Sequence, residues 1–178
     1  MDMALYRHVY LKFWKDDKIM ELFSVEEKLL FLFLLTNPNT TQIGVYKILP
    51  KEIAFMTGFE EEEVSIMLEL FEKEYKLIKY NKLTHEIAIV HWARYNLNKA
   101  GGKPMMDCIS SELSRVEDVS LLQVILDHIK NENIKKLYIN AIRREKGESS
   151  KVKNEGEVIY ERPSEEQLRR ARELYKQV

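Results

Sequence analysis

The chain has 178 residues, of which 45% are hydrophobic and 32% charged, so it can bury a core and is not disordered as a whole. Lys and Arg number 28 against 29 Asp and Glu, a formal charge of -1, which excludes a wholly polybasic protein but not an uneven charge distribution. One cysteine, Cys108, excludes an internal disulfide and a paired-cysteine zinc site, and the longest apolar run, Leu29 to Leu35, is too short to span a bilayer.

The first strong element starts at Ser24. Ser24 and Glu27 have the S-x-x-E spacing of a capping box. The run Leu29 to Leu35 behind them is apolar all round and predicts a helix in the middle of a core, stopped by Pro38. Ile43 to Ile48 carries strand propensity. Pro50 then opens a short helix to Met56, with Thr57-Gly58 as a turn. Glu60 to Tyr75 is a longer helix with Val64, Met67, Leu68 and Phe71 on one face. Leu77 to Tyr80 and Glu86 to His91 are short strands joined by the hairpin loop Asn81 to His85, and Trp92 to Asn96 continues outward. Three helices follow, with apolar stripes at Met105–Val116, Leu121–Ile129 and Ile134–Ile142. Hydrophobic density then falls, and Lys146 to Glu157 reads as a solvated linker. A last amphipathic helix is expected from Ser164, with Leu168, Ala171 and Tyr175 on one face and arginines beside it. That face is a candidate for docking on a partner, and a fraying tail accounts for it equally well.

The expected fold is mostly α with a small β-hairpin: a winged helix-turn-helix over residues 1–96, a helical extension over 97–145, a linker over 146–163 and the amphipathic helix over 164–178. Within the winged helix, Ala54, Gly58 and Val64 have helix-turn-helix spacing: a small residue at the contact, a glycine for positive φ and a branched apolar residue facing back.

Charge resolved along the chain places the candidate contacts. Residues 1–96 hold 12 basic and 15 acidic side chains, and residues 143–178 hold 10 and 8. Glu60 to Glu63 open the would-be recognition helix, where carboxylates repel phosphates but suit the helix dipole. The hairpin has the opposite sign. Lys73, Lys76, Lys79, Lys82 and His85 cluster around it, with Tyr80 and Asn81 available to hydrogen-bond, so it is the candidate DNA contact. A lysine-rich hairpin that protects an edge strand accounts for the same residues. Arg94, Lys99 and Lys103 extend the basic track, or belong to a plain inter-helix turn. Trp14 and Trp92 are expected to pack in the core, with Tyr95 more open for stacking on bases.

Nothing points to an enzyme. The four histidines lack metal-ligand spacing, and neither a phosphate loop nor a nucleophile elbow occurs, so no cofactor and no metal is expected. No basic stretch followed by an apolar one opens the chain, so a soluble cytoplasmic protein is expected.

Several runs share their order and spacing with one family. These are Tyr6-Arg7, Phe13-Trp14-Lys15-Asp16, Leu35-Thr36-Asn37-Pro38-Asn39-Thr40, Ile43-Gly44-Val45-Tyr46, and Trp92-Ala93-Arg94-Tyr95-Asn96. Over about residues 6–140 the chain resembles the DnaD-like replication proteins, or replisome organisers, of phages and prophages of Gram-positive bacteria. The resemblance implies a winged helix that engages origin DNA, and a variable C-terminal part that contacts a helicase or helicase loader. The C-terminal tyrosine and tryptophan signature of cellular DnaD is missing, which puts helicase recruitment through such a domain in doubt. Homo-oligomerisation is expected to multiply a weak DNA contact. The alternatives are a winged-helix interaction or oligomerisation module and a transcriptional regulator.

Overall fold

The computed structural model describes residues 7–98 and 102–145. The linker and amphipathic helix expected after residue 145, with Leu168, Ala171 and Tyr175, lie outside the described residues, as does Lys99. The protein is mostly helical with one small antiparallel sheet. A 3-10 turn, Leu11–Lys15, leads into α1 (Asp17–Leu22) and α2 (Val25–Thr36). The chain continues through β1 (Val45–Lys47), α3 (Pro50–Thr57), α4 (Glu61–Lys73), β2 (Ile78–Asn81) and β3 (Glu86–Ile89). Helices α5 (Trp92–Asn96), α6 (Lys103–Leu113), α7 (Ser120–Leu126) and α8 (Glu132–Glu145) complete it. No described helix is long and apolar enough to cross a membrane.

The capping box at Ser24 and Glu27 is formed, so α2 starts where its sequence dictates. The expectation that α2 is buried all round is corrected. Leu30, Phe31 and Leu34 are buried, while Leu29 is 47% exposed. The helix lies at the edge of the core and turns one face inward. That face meets α4 through Phe31 and Phe71, 5.6 Å apart edge to face, and Phe23 stacks on Phe71 at 5.4 Å. The α4 stripe of Val64, Met67, Leu68 and Phe71 is buried as its period demands. Gly58 caps α3 at φ +82°, the left-handed region where glycine has no Cβ to clash.

The sheet order is β1-β3-β2. Val45 pairs with Ala88 and Lys79 with Ala88, so these three share one face; Tyr46, Ile87 and Tyr80 share the other. The Tyr46 face points at α2, where the Tyr46 hydroxyl donates to the Leu34 carbonyl at 2.6 Å. The opposite face meets α7 at β3, while Lys47 and Lys79 on the flanking strands stay exposed. All four residues of β3 are buried, as a strand packed on both sides must be. Residues expected as winged helix and as extension thus share one core, running from Phe13 to Ile142. The fully buried Tyr138 of α8 donates its hydroxyl to the Ile43 carbonyl at 2.9 Å and so locks α8 onto the strand side.

Two further expectations are corrected. Trp92 to Asn96 does not continue outward; it is a short helix turned into the core, with Trp92 and Ala93 buried. Gly44 permits this, because a Cβ there would lie 2.2 Å from the Trp92 ring. Trp14 does not pack in the core. It is 56% exposed and touches only the edge of Phe13 among the described rings.

Candidate nucleic-acid interface

The hairpin β2–β3 is held from behind. Glu86, 3% exposed, accepts the Glu117 backbone N–H at 2.9 Å and the Asp118 backbone N–H at 2.7 Å. Those two amides precede α7, so one buried carboxylate joins the hairpin to the helical layer. Asn81 reinforces the joint by donating its amide to the Asp118 carboxylate at 2.7 Å. Burial pushes the Asp118 carboxyl up, but hydrogen bonds from Ser120 and Asn81 and the nearby Lys79 charge outweigh it and hold it below the usual range.

The tip is shaped by local bonds. The Asn81 side-chain oxygen accepts the N–H groups of Leu83 and Thr84, and His85 takes φ +56° to close the loop. Leu83 at the tip is 91% exposed. Tyr80 and Asn81, expected to be available to a ligand, are therefore engaged inside the fold. The Tyr80 hydroxyl donates to the Ile48 carbonyl at 3.2 Å and faces the His85 ring.

The lysines divide into two groups. Lys73 is ion-paired with Glu69, and Lys79 with Glu72 at 2.6 Å. Lys76, at φ +55° in the turn after α4, and Lys82, at the tip, are exposed and form no ion pair among the described residues. Lys82 is still felt nearby. The Glu69 carboxyl is held low first by its bond to Lys73 and then also by the Lys82 charge.

Compared with known proteins, the chain matches no family model, no curated protein and no solved structure.

Beyond the hairpin, Lys103 is exposed at the start of α6. Arg94 projects from α5 and lines a cavity together with Lys12 and Lys18, two lysines that sequence spacing did not connect with it. Tyr95 stacks at a tilt on Tyr10, with ring centres 5.2 Å apart, and its carbonyl accepts the Tyr10 hydroxyl. The carboxylates of Glu60 to Glu63 serve their own helix: Glu60 and Glu63 form a capping box, and Glu61 to Glu63 fill the first turn. Among the described residues no group of three or more His, Cys, Asp and Glu could hold a metal ion.

Proposed function

We propose that the protein is a non-enzymatic DNA-binding protein with a winged-helix architecture, which contacts the phosphate backbone through its hairpin. The observation that carries this reading is Lys82, exposed and without an ion pair among the described residues, at the tip of a hairpin fastened by buried Glu86; Lys76, exposed in the same way, adds a charge in the turn between α4 and β2. A fixed cationic edge neutralises phosphates and releases counterions without reading bases. The acidic start of α4 argues against insertion of that helix into a groove. The order α2, β1, α3, α4, β2, β3 supports the winged-helix reading. A replication role, engagement of an origin, a helicase or helicase loader as partner, and a cytoplasmic location complete the proposal; the first three rest on the resemblance to DnaD-like phage proteins, and the last on the single cysteine.

Association between copies belongs to the same proposal. Leu11, Val25, Met20 and Trp14 on the N-terminal elements are 82%, 75%, 60% and 56% exposed, apolar side chains that self-contact would take out of water. Sedimentation velocity across a concentration series tests it, and a strict monomer throughout refutes it.

The deciding experiment is fluorescence anisotropy of labelled duplex DNA across a salt series. Each phosphate contact contributes about 0.9 to the slope of log affinity against log salt, so K76A/K82A lowers the slope by about 2. The already paired Lys73 and Lys79 change it less. Salt-independent binding, or an unchanged slope in K76A/K82A, refutes the reading. A protein-interaction module is the second reading, favoured by Phe55 and Ile66, which are 89% and 61% exposed on α3 and α4. Loss of all DNA binding with intact self-association selects it.

A further inference from the structure

A cavity of about 270 Å³ opens between the N-terminal segment and α5. Its size is at the small end of small-molecule sites, room for one ring system rather than a drug-sized ligand. Phe13, Ile19, Phe31, Ile89 and Trp92 line it and are all buried, so its floor is apolar and largely aromatic. Lys12, Lys18 and Arg94 line it and are exposed, so they form its mouth. None of the three has an ion-pair partner among the described residues, although the Lys18 ammonium reaches the Tyr75 carbonyl at 3.4 Å. One carboxylate, Asp16, lies among them. His91 also lines the cavity, and its buried Nδ1 has no hydrogen-bond partner.

This set of groups selects its ligand chemically. Three cations against one carboxylate favour an anion at the mouth. The aromatic floor favours a flat ring. Asp16 accepts the Lys18 backbone N–H through one carboxylate oxygen at the start of α1, and its other oxygen suits an N–H on the edge of the ring. An aliphatic or simple aryl carboxylate meets the cations but offers no N–H to the second Asp16 oxygen. A nucleobase with its phosphate meets all three demands. We propose that this cavity binds one nucleotide, with the base on the apolar floor and the phosphate among Lys12, Lys18 and Arg94, supplied as a free mononucleotide or as an unstacked nucleotide of a single DNA strand. Lys82 at the hairpin tip takes no part, so the site stands apart from the tip contact, whereas Lys76 adjoins Leu77, which lines the cavity.

Trp92 reports on occupancy. The chain has two tryptophans, Trp14 and Trp92, so W14F assigns the Trp92 indole N–H in a nitrogen–proton spectrum of the full chain. That N–H donates to the Gln42 carbonyl at 2.9 Å and stays ordered while the ring faces the ligand. Titration with dTMP, dAMP, thymidine, inorganic phosphate and a twelve-residue oligo-dT is expected to shift this signal saturably with the nucleotides or the oligomer. Thymidine and phosphate alone bind at least about tenfold more weakly, because each makes only half of the contacts. R94E and K12E, both at exposed positions, weaken nucleotide binding about tenfold with the far-ultraviolet spectrum unchanged. A shift with the oligomer but not with mononucleotides supports the site and identifies the single strand as source. K82E leaves the titration unchanged, so duplex binding can fail while this site stands. No saturable shift with mononucleotide and oligomer alike, or equal affinity in R94E and K12E, overturns the proposal.

Discussion

Glu86→Ala tests whether the hairpin is fastened to the helical layer. The wild-type carboxylate is 3% exposed and accepts two backbone N–H groups, from Glu117 and Asp118, at 2.9 and 2.7 Å. A hydrogen bond to a charged group contributes about 1.5–3 kcal/mol. Both amides are only part-buried, and water replaces some of the loss, so the low end applies to each. The sum is about 3 kcal/mol, a large fraction of the roughly 5–15 kcal/mol that holds a domain folded. Glu86→Gln keeps the shape and one acceptor but turns an NH2 toward the other amide, so about 2 kcal/mol is expected. Urea unfolding should show a lower midpoint at unchanged slope for both variants. Hydrogen exchange supplies the local readout, with the Glu117 and Asp118 amides losing protection before the rest of α7. A loss under about 1 kcal/mol in Glu86→Ala, or unchanged exchange at those two amides, refutes the reasoning.

Three further outcomes are expected. Gly44→Ala places a Cβ 2.2 Å from the Trp92 ring and needs φ +74°, so it destabilises by about 3 kcal/mol or more. A thermal scan followed by Trp92 fluorescence in a W14F background checks it, and an unchanged midpoint refutes it. Tyr46→Phe removes the hydroxyl that donates to Leu34 and accepts from the Asn37 amide, and is expected to cost about 1–2 kcal/mol in urea unfolding. Burial pushes that phenol far above its ordinary range, so an alkaline absorbance titration of the folded protein should find it silent. His91 titrates below the ordinary 6.5, first because it is buried and then because His128, Arg94 and Lys18 are near, with Asp16 opposing. The unfolded chain therefore binds this proton first. The stability conferred by neutral His91 is present above 6.5 and is lost as pH falls through the folded value. His91→Phe should flatten that part of the profile of urea midpoint against pH, and an unaltered slope counts against the assignment.

The parts legible in the sequence are those set by local chemistry. Ser24 and Glu27 cap one another three residues apart, Val64 to Phe71 repeat at helical period, and Gly58 supplies its own left-handed turn. The hairpin was legible from its two short strands, but its closure was not. Asn81 meets Asp118 and Glu86 meets the amides of 117 and 118 across more than thirty residues, and no periodicity encodes a carboxylate accepting a distant backbone N–H. Helix α1 escaped notice because it buries Ile19 alone and shows no repeating stripe. Trp14 misled for the opposite reason: size and aromaticity favour burial on average, but they do not say which neighbour reaches the core first, and here Phe13 does. At the candidate interface, counting lysines could not show that Glu69 and Glu72 occupy two of them.

The runs that carry the family resemblance serve the scaffold. Buried Asn37 ties the end of α2 to Tyr46, Thr40 returns a bond to the Asn37 carbonyl, and Arg7 holds Thr40. Trp92 holds Gln42, and Asn96 holds Trp92. Such residues are demanded by packing whatever the surface does. The hairpin lysines lie outside those runs, so the ligand preference of the hairpin has to be measured on this chain.

The double burial of β3 has a mechanical consequence. A hairpin attached by flexible loops can tilt to follow whatever it grips, and the body behind it keeps its own heading. Here β3 is roofed by α7 and Glu86 pins the strand end beside the loop, so tip and helices turn as one lever. A grip on Lys82 therefore orients α7 and α8 as well.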